Sequence, residues 1–301
     1  MPLASALSYF QAIVLGLLQG VSELFPISSL GHTVLFPTLF GWNELVKAQS
    51  QSESFWLAFV VMLHVGSALG LLAYFWRDWV QIVRAFFATL PKRRADTPTE
   101  RLAWLIVVAS IPAGIFGLAL EHQLRTLTAK PEVAAIFLMV NGVVLLAAER
   151  YRRRAEVREL AIREGAKPDG ARALDTLDYR EALVVGVAQS TALVAGISRD
   201  GVTMGAGLAR GLDHSDSARF AFLLATPIIL AAGIVKLPDL TGHLGDGIRG
   251  QAVVACVVAA VTAVFTVRFL VGYFKSKTLT PFAVYCLLLG LGSIIYLELI
   301  K

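Results

Sequence analysis

Six apolar runs long enough to cross a membrane punctuate the chain: Phe55–Trp76, Leu102–Leu120, Val133–Ala148, Phe220–Leu237, Ala252–Gly272 and Phe282–Leu299. A span takes about 20 residues, so Val133–Ala148 is short and is expected to borrow its neighbours. Two further apolar regions, Leu7–Phe40 and Ala182–Leu212, are interrupted near the middle by Gly, Pro, Ser and charge. Neither half of either region can cross alone. The pattern predicts an all-α polytopic membrane protein, with six spanning helices and two broken regions that enter without crossing.

Composition agrees. The 301 residues are 56% apolar with mean hydropathy +0.67, above the roughly 45–50% apolar content of soluble domains. One membrane domain covering 1–301 is expected. Cys256 and Cys286 both sit inside apolar runs, so no disulfide framework is expected. No basic residue precedes the first apolar run, so no cleaved signal peptide is read. Nucleic acid is not an expected partner, because the basic loops carry no aromatic stacking platform beyond Tyr151 and Tyr179.

The two broken regions resemble each other. A shift of 170 residues aligns Ala12 with Ala182, Gly16 with Gly186, Gln19 with Gln189, Ile27 with Ile197, Ser28 with Ser198, Gly31 with Gly201 and Thr33 with Thr203. The chain therefore reads as two repeats, about 7–149 and about 179–300, joined by a basic loop at 150–178. Loop charge sets their orientation. Twenty Lys and Arg fall in or beside the loops at 77–101, 150–180, 213–218 and 273–280, against six elsewhere outside the broken regions. Those loops are assigned to the cytoplasm, which leaves 41–54 and the C-terminus outside. Region 7–40 then enters from outside and region 182–212 from inside, as re-entrant hairpins of an inverted-topology repeat. Broken helices meeting near the midplane are a known way to build a site for an anionic substrate.

The chemistry concentrates at the two tips. Gln19–His32 reads QGVSELFPISSLGH: Pro26 breaks the helix at about Phe25 to Ser28, and Ser28 or Ser29 can cap the next one. Glu23 and His32 are ionisable groups at membrane depth, where an acid costs about 2.5–3.5 kcal/mol or more and is kept mainly for function. The second tip, Ala195–Thr203, reads AGISRDGVT. Ser198 can cap the following helix, with Arg199 beside its free N–H groups. A helix N-terminus with a guanidinium is a phosphate site, and two such ends facing one another suit two adjacent phosphates.

With these residues the sequence resembles the undecaprenyl-pyrophosphate phosphatase family of the bacitracin-resistance type, over nearly its whole length. The first family segment is carried here by Gln19, Glu23, Pro26, Ser28, Ser29, Gly31 and His32, and the second by Ala195, Gly196, Ser198, Arg199, Asp200, Gly201 and Thr203. The resemblance implies hydrolysis of a C55 polyprenyl pyrophosphate to the monophosphate on the outer face of the bacterial plasma membrane. It implies Glu23, Ser29, His32 and Arg199 as essential groups, with Gln19, Ser28, Ser198, Gly201 and Thr203 around the phosphates. It also implies a divalent cation, Mg²⁺ or Ca²⁺, for which Glu23 is the candidate ligand. Three positions depart from the family pattern: Gln19 removes a carboxylate, Ala195 replaces Pro, and Asp200 replaces Ser beside Arg199, where it either pairs with that arginine or faces away.

The remaining polar residues read more plainly. His64, inside a spanning run, is expected to be a satisfied packing histidine. His122, His214 and His243 are expected in solvated loops, and Arg150–Arg154 as an orientation signal. Ser29, His32 and water remain alternative nucleophiles. A transporter of polyprenyl phosphate or another anionic lipid is the competing function, and a non-catalytic lipid-binding subunit a weaker third. A homodimer is allowed but not required.

Overall fold

A computed structural model describes residues 7–50, 55–128, 130–162, 172–242 and 246–299. Among them the secondary structure is helical, without strands. Six helices are long and apolar enough to span: α4 (Phe55–Tyr74), α6 (Pro98–Thr128), α7 (Pro131–Ile162), α10 (His214–Thr241), α11 (Arg249–Tyr273) and α12 (Thr280–Leu299). The short run at 133–148 does borrow its neighbours. Its apolar segment extends over Pro131–Arg153, and α7 continues into the arginine-rich segment that was expected to be loop.

The broken regions form pairs of short helices, α1 (Tyr9–Ser22) with α2 (Ser29–Leu39), and α8 (Tyr179–Ser190) with α9 (Arg199–Ala209). At 1.5 Å per residue they reach only about 16–21 Å, short of the roughly 30 Å hydrocarbon layer. Each N-terminus carries its own signal. Ser8 with Gln11 and Asp178 with Glu181 form reciprocal capping boxes for α1 and α8, and Ser28 and Ser198 cap α2 and α9.

Two helices occupy segments read from sequence as loop: α3 (Asn43–Ser50) and α5 (Trp76–Lys92). Helix α5 turns its Ile82 and Thr89 side onto the protein and leaves Val80, Val83, Phe87 and Leu90 exposed. That second apolar stripe, interleaved with Arg77, Gln81 and Arg84, is the pattern of a helix lying in a membrane interface. It was hidden because the charges of 77–101 dominate a hydropathy reading.

Small residues bring the short helices onto the spans. A Cβ on Gly16 of α1 would lie 2.8 Å from the Ala255 carbonyl oxygen of α11, and one on Gly186 of α8 would lie 2.4 Å from the Ala109 carbonyl oxygen of α6. These two glycines are partners under the 170-residue shift. Helix α4 packs on α10 and α11, and α7 on α12, α9 and α2. Cys256 and Cys286 are buried free thiols in α11 and α12.

On the side carrying the basic loops, His214 is buried rather than solvated. Its Nε2 meets Glu149, whose carboxylate also accepts the Leu279 N–H at 2.9 Å, and its Nδ1 meets Arg152. The charged end of α7 is thereby tied, through Glu149 and Arg152, to α10 and to the start of α12. His243 and the side chain of His122 lie outside the described residues.

Loop charge predicts that α3 and the α5–α6 turn face opposite sides. With Cys256 and Cys286 replaced, an impermeant maleimide should label Glu44→Cys in intact cells, and Arg94→Cys only after permeabilisation. Both native side chains are well exposed, at 70% and 75%. Labelling of both from one side would contradict the assigned orientation.

Candidate active site

The first tip begins where α1 runs out. Pro26 has no N–H to continue the ladder, and Ser28 follows with φ 69°, one of two non-glycine residues at positive φ among the described residues. Such a conformation costs on the order of 1–3 kcal/mol and persists only where its surroundings hold it. Here the Ser28 Oγ accepts two backbone N–H groups, Gly31 at 3.2 Å from its own helix and Gly196 at 3.1 Å from the second tip. Gly196 has φ 106°, and a Cβ there would stand 2.6 Å from the Ala134 carbonyl oxygen, so only glycine fits. The Ser198 Oγ accepts the Gly201 N–H at 3.1 Å and caps α9. Asn141 of α7, fully buried, joins both tips. Its Oδ1 accepts the Ser198 N–H at 3.0 Å, and its Nδ2 donates to the Pro26 carbonyl at 3.0 Å.

Between the tips lies a cavity of about 340 Å³. Its wall combines polar side chains, Glu23, Ser28, Ser29, His64, Ser198 and Arg199, with apolar ones, among them Val60 and Val61 of α4, Ala113 of α6 and Ile228, Ile229 and Ala232 of α10, of which Ala232 is exposed.

Glu23 is the hub of the polar side chains. Its Oε1 receives the Arg199 guanidinium. Its Oε2 accepts Ser29 Oγ–H and Gln19 Nε2–H, the latter at 2.9 Å, and faces His64 Nε2 at 3.3 Å. His64 Nδ1 lies 2.8 Å from the Val60 carbonyl, which can only accept, so Nδ1 carries a proton. His64 Nε2, 3.4 Å from Ser29 Oγ, is then the atom free to take or return a proton. His64, expected to be a satisfied packing histidine, thus lies in the cavity wall beside Glu23 and Ser29. An imidazole in an otherwise apolar span was the signal, but its partners sit some forty residues away in sequence.

His32 is placed differently. Its Nδ1 lies 2.7 Å from the Ser28 carbonyl and its Nε2 2.8 Å from the Tyr285 hydroxyl, with the two rings stacked at 5.7 Å. Both nitrogens are occupied, and His32 is not in the cavity wall. Gln19 reaches the cavity only through Glu23, and its Nε2 also meets Ser67 Oγ at 3.3 Å. Gly201 contributes its N–H to the cap, and Thr203 is buried outside the wall. Asp200 faces away. It is 1% exposed, its Oδ2 has no hydrogen-bond partner, and Arg199 pairs with Glu23 instead.

For a divalent cation the site offers one carboxylate, Glu23, whose oxygens are both engaged by donors with Arg199 beside it, and the buried, unpartnered Gln19 Oε1. Among the described residues no three His, Cys, Asp or Glu side chains converge.

Residues 12–292 match the family described as "Bacitracin resistance protein BacA". The chain belongs to this family. It is 51% identical over 301 residues to "Undecaprenyl-diphosphatase" of Mycolicibacterium paratuberculosis, covering 97% of this chain and 98% of that one. It is 51% identical to "Undecaprenyl-diphosphatase 2" of Frankia alni, covering 94% and 96%, and 50% identical to "Undecaprenyl-diphosphatase" of Mycobacterium avium, covering 99% and 100%.

Asn141, like His64, escaped the sequence reading, since a lone amide in an apolar run does not name its partners. Asn141→Ala leaves the Ser198 N–H and the Pro26 carbonyl unpaired, at about 1–3 kcal/mol for each buried group. The unfolding midpoint in detergent should fall, and phosphate release with it, while Asn141→Asp, which keeps the acceptor, should recover part of both. An Ala variant as stable and active as the parent would show that the tie is dispensable.

Proposed function

We propose that the chain hydrolyses undecaprenyl diphosphate to undecaprenyl phosphate and inorganic phosphate, returning the lipid carrier to cell-wall synthesis and so supporting bacitracin resistance. The observation that carries this reading is the gathering of Glu23, Ser29 and His64 beside Arg199 at the N-terminus of α9. Anion binding alone needs the guanidinium and the helix end. An acid facing a diphosphate repels it, and is useful only where it takes or directs a proton in the transition state. The competing transporter reading gives Glu23, Ser29 and His64 no task.

The diphosphate enters between the capped starts of α2 and α9, and Arg199 exchanges Glu23 for phosphate oxygens. Ser29 Oγ, hydrogen-bonded to Glu23 and within reach of His64, attacks the terminal phosphorus as its proton passes to that pair. The pair passes that proton to the departing undecaprenyl phosphate, then takes one from water as the water oxygen attacks phosphorus; the Ser29 Oγ–P bond breaks, Oγ takes the proton back, and inorganic phosphate leaves. The charge on the phosphoryl oxygens is met by Arg199 and the helix N–H groups. The prenyl chain follows the apolar wall past Val61 and Ile228 toward the lipid at Ala232.

This reading includes an inverted repeat of about 7–149 and 179–300 in a single domain. The support is that α1 packs on α11 and α8 on α6, each on the second span of the opposite half. It also includes a site opening on the outer face of the plasma membrane. The cavity is lined by Gln49 of α3, the start of α4 and Ala113 of α6, all in the halves that loop charge assigns to the outside.

Glu23→Gln keeps size and hydrogen bonding and loses basicity. The purified variant should still bind polyprenyl diphosphate, while phosphate release falls by about 10²-fold or more, the scale of a lost general base. Release near the parent rate would remove Glu23 from the chemistry. No release from the parent protein under any condition, together with lipid phosphate movement across liposomes, would favour transport.

For the tail, Ala232→Trp should raise KM for a long prenyl diphosphate and leave that of a short, soluble prenyl diphosphate unchanged. Equal effects on both substrates would place the tail elsewhere.

A further inference from the structure

A second cavity, of about 470 Å³, lies on the side of the basic loops, between the end of α5, the start of α6 and the first residue of α8. Its lining joins apolar Leu90, Trp104 and Val108 with Tyr179 and the basic Arg93 and Arg94. Trp104 is fixed by its Nε1–H to Thr89 Oγ1 at 2.9 Å and by Phe86, with ring centroids 5.1 Å apart.

The basic groups at this edge are not equivalent. Lys92 is held by Glu100 at 3.1 Å, and Arg94 by Asp96 at 3.0 Å. Arg93 has no carboxylate partner among the described residues. It also closes α5 in the left-handed conformation, φ 55° and ψ 25°, its N–H donating to the Thr89 carbonyl at 2.8 Å. Glycine or asparagine normally takes that position. An arginine held there, unpaired, in a lining shared with Leu90, Trp104, Val108 and Tyr179, presents one cation to an amphiphile. The exposed stripe Val80, Val83, Phe87 and Leu90 gives the same helix an apolar face suited to a membrane interface.

We infer that this cavity is a binding site for an anionic phospholipid of the cytoplasmic leaflet, with its phosphodiester on Arg93 and an acyl chain along Leu90, Trp104 and Val108. Charge selects the occupant: a zwitterionic lipid brings its own cation to a guanidinium that needs an anion. The site is separate from the catalytic cavity. It shares α6 with it, since Val108 lines one and Ala113 the other.

The test uses Arg93→Gly, which removes the guanidinium and relaxes the backbone, so loss of folding is not the expected outcome. The purified full chain is examined by native mass spectrometry and thermal unfolding, with phosphatidylglycerol, phosphatidylcholine or inorganic phosphate added. The parent should retain phosphatidylglycerol over phosphatidylcholine and be stabilised by it. Arg93→Gly should lose about fivefold in retention, the scale of one basic residue at an anionic surface, with an unfolding midpoint unchanged or higher without lipid. Arg93→Lys should retain more than Arg93→Gly. Equal retention by parent and Arg93→Gly, equal retention of both lipids by the parent, or the same stabilisation by inorganic phosphate alone would overturn the assignment. These measurements do not involve turnover, so they stand apart from the catalytic reading.

Discussion

The structure turns on one carboxylate at membrane depth. Glu23 is 6% exposed, and a lone buried charge in that setting would be costly. It is surrounded by side chains from four helices, the donors Gln19 of α1, Ser29 of α2 and Arg199 of α9, and the facing imidazole of His64 of α4. Two of these belong to the first broken region, one to a span, and one to the second broken region. The carboxylate is therefore a fastening point, and the two tips cannot separate without stranding a charge.

The backbone around this hub is arranged to the same end. Ser28 accepts the strain of a left-handed residue because its hydroxyl is claimed by N–H groups from both tips. Gly196 supplies one of those groups from a position where no side chain fits. Asn141 ties the tip carbonyl of Pro26 to the capped start of α9. Irregular backbone at membrane depth is tolerated where protein surrounds it or a cavity adjoins it, and here both conditions are met. The α2 and α9 N-termini thus open into one cavity with their N–H groups partly unspent, a fixed electrostatic arrangement for phosphoryl oxygens.

Much of this was legible in the residues. Pro26, the serine caps and the 170-residue correspondence located both breaks, and the apolar runs located all six spans. Those signals are local, and local signals survive in sequence. What was not legible depends on distant partners or on rotation about a helix axis. His64 reads as a packing residue until α4 is laid beside the first tip. His32 looks equivalent to Ser29 until its ring folds back on the Ser28 carbonyl and meets Tyr285, 253 positions away. For Asp200 beside Arg199 the sequence leaves pairing and facing away both open; consecutive helical residues point about 100° apart, and only Arg199 meets Glu23. Helix α5 was masked because its arginines and lysines, read as loop charge, interleave with an apolar face.

The central claim is that the two tips form one diphosphate site around Glu23. The most direct measurement is an experimental structure of the protein with a non-hydrolysable prenyl methylenediphosphonate. The account predicts the terminal phosphonate between the starts of α2 and α9, within hydrogen-bond distance of Arg199 and the α9 N–H groups, with its phosphorus facing Ser29 Oγ and its prenyl chain along α10. A diphosphonate bound away from Arg199 and Ser29, or centred on His32 and Tyr285, would contradict it.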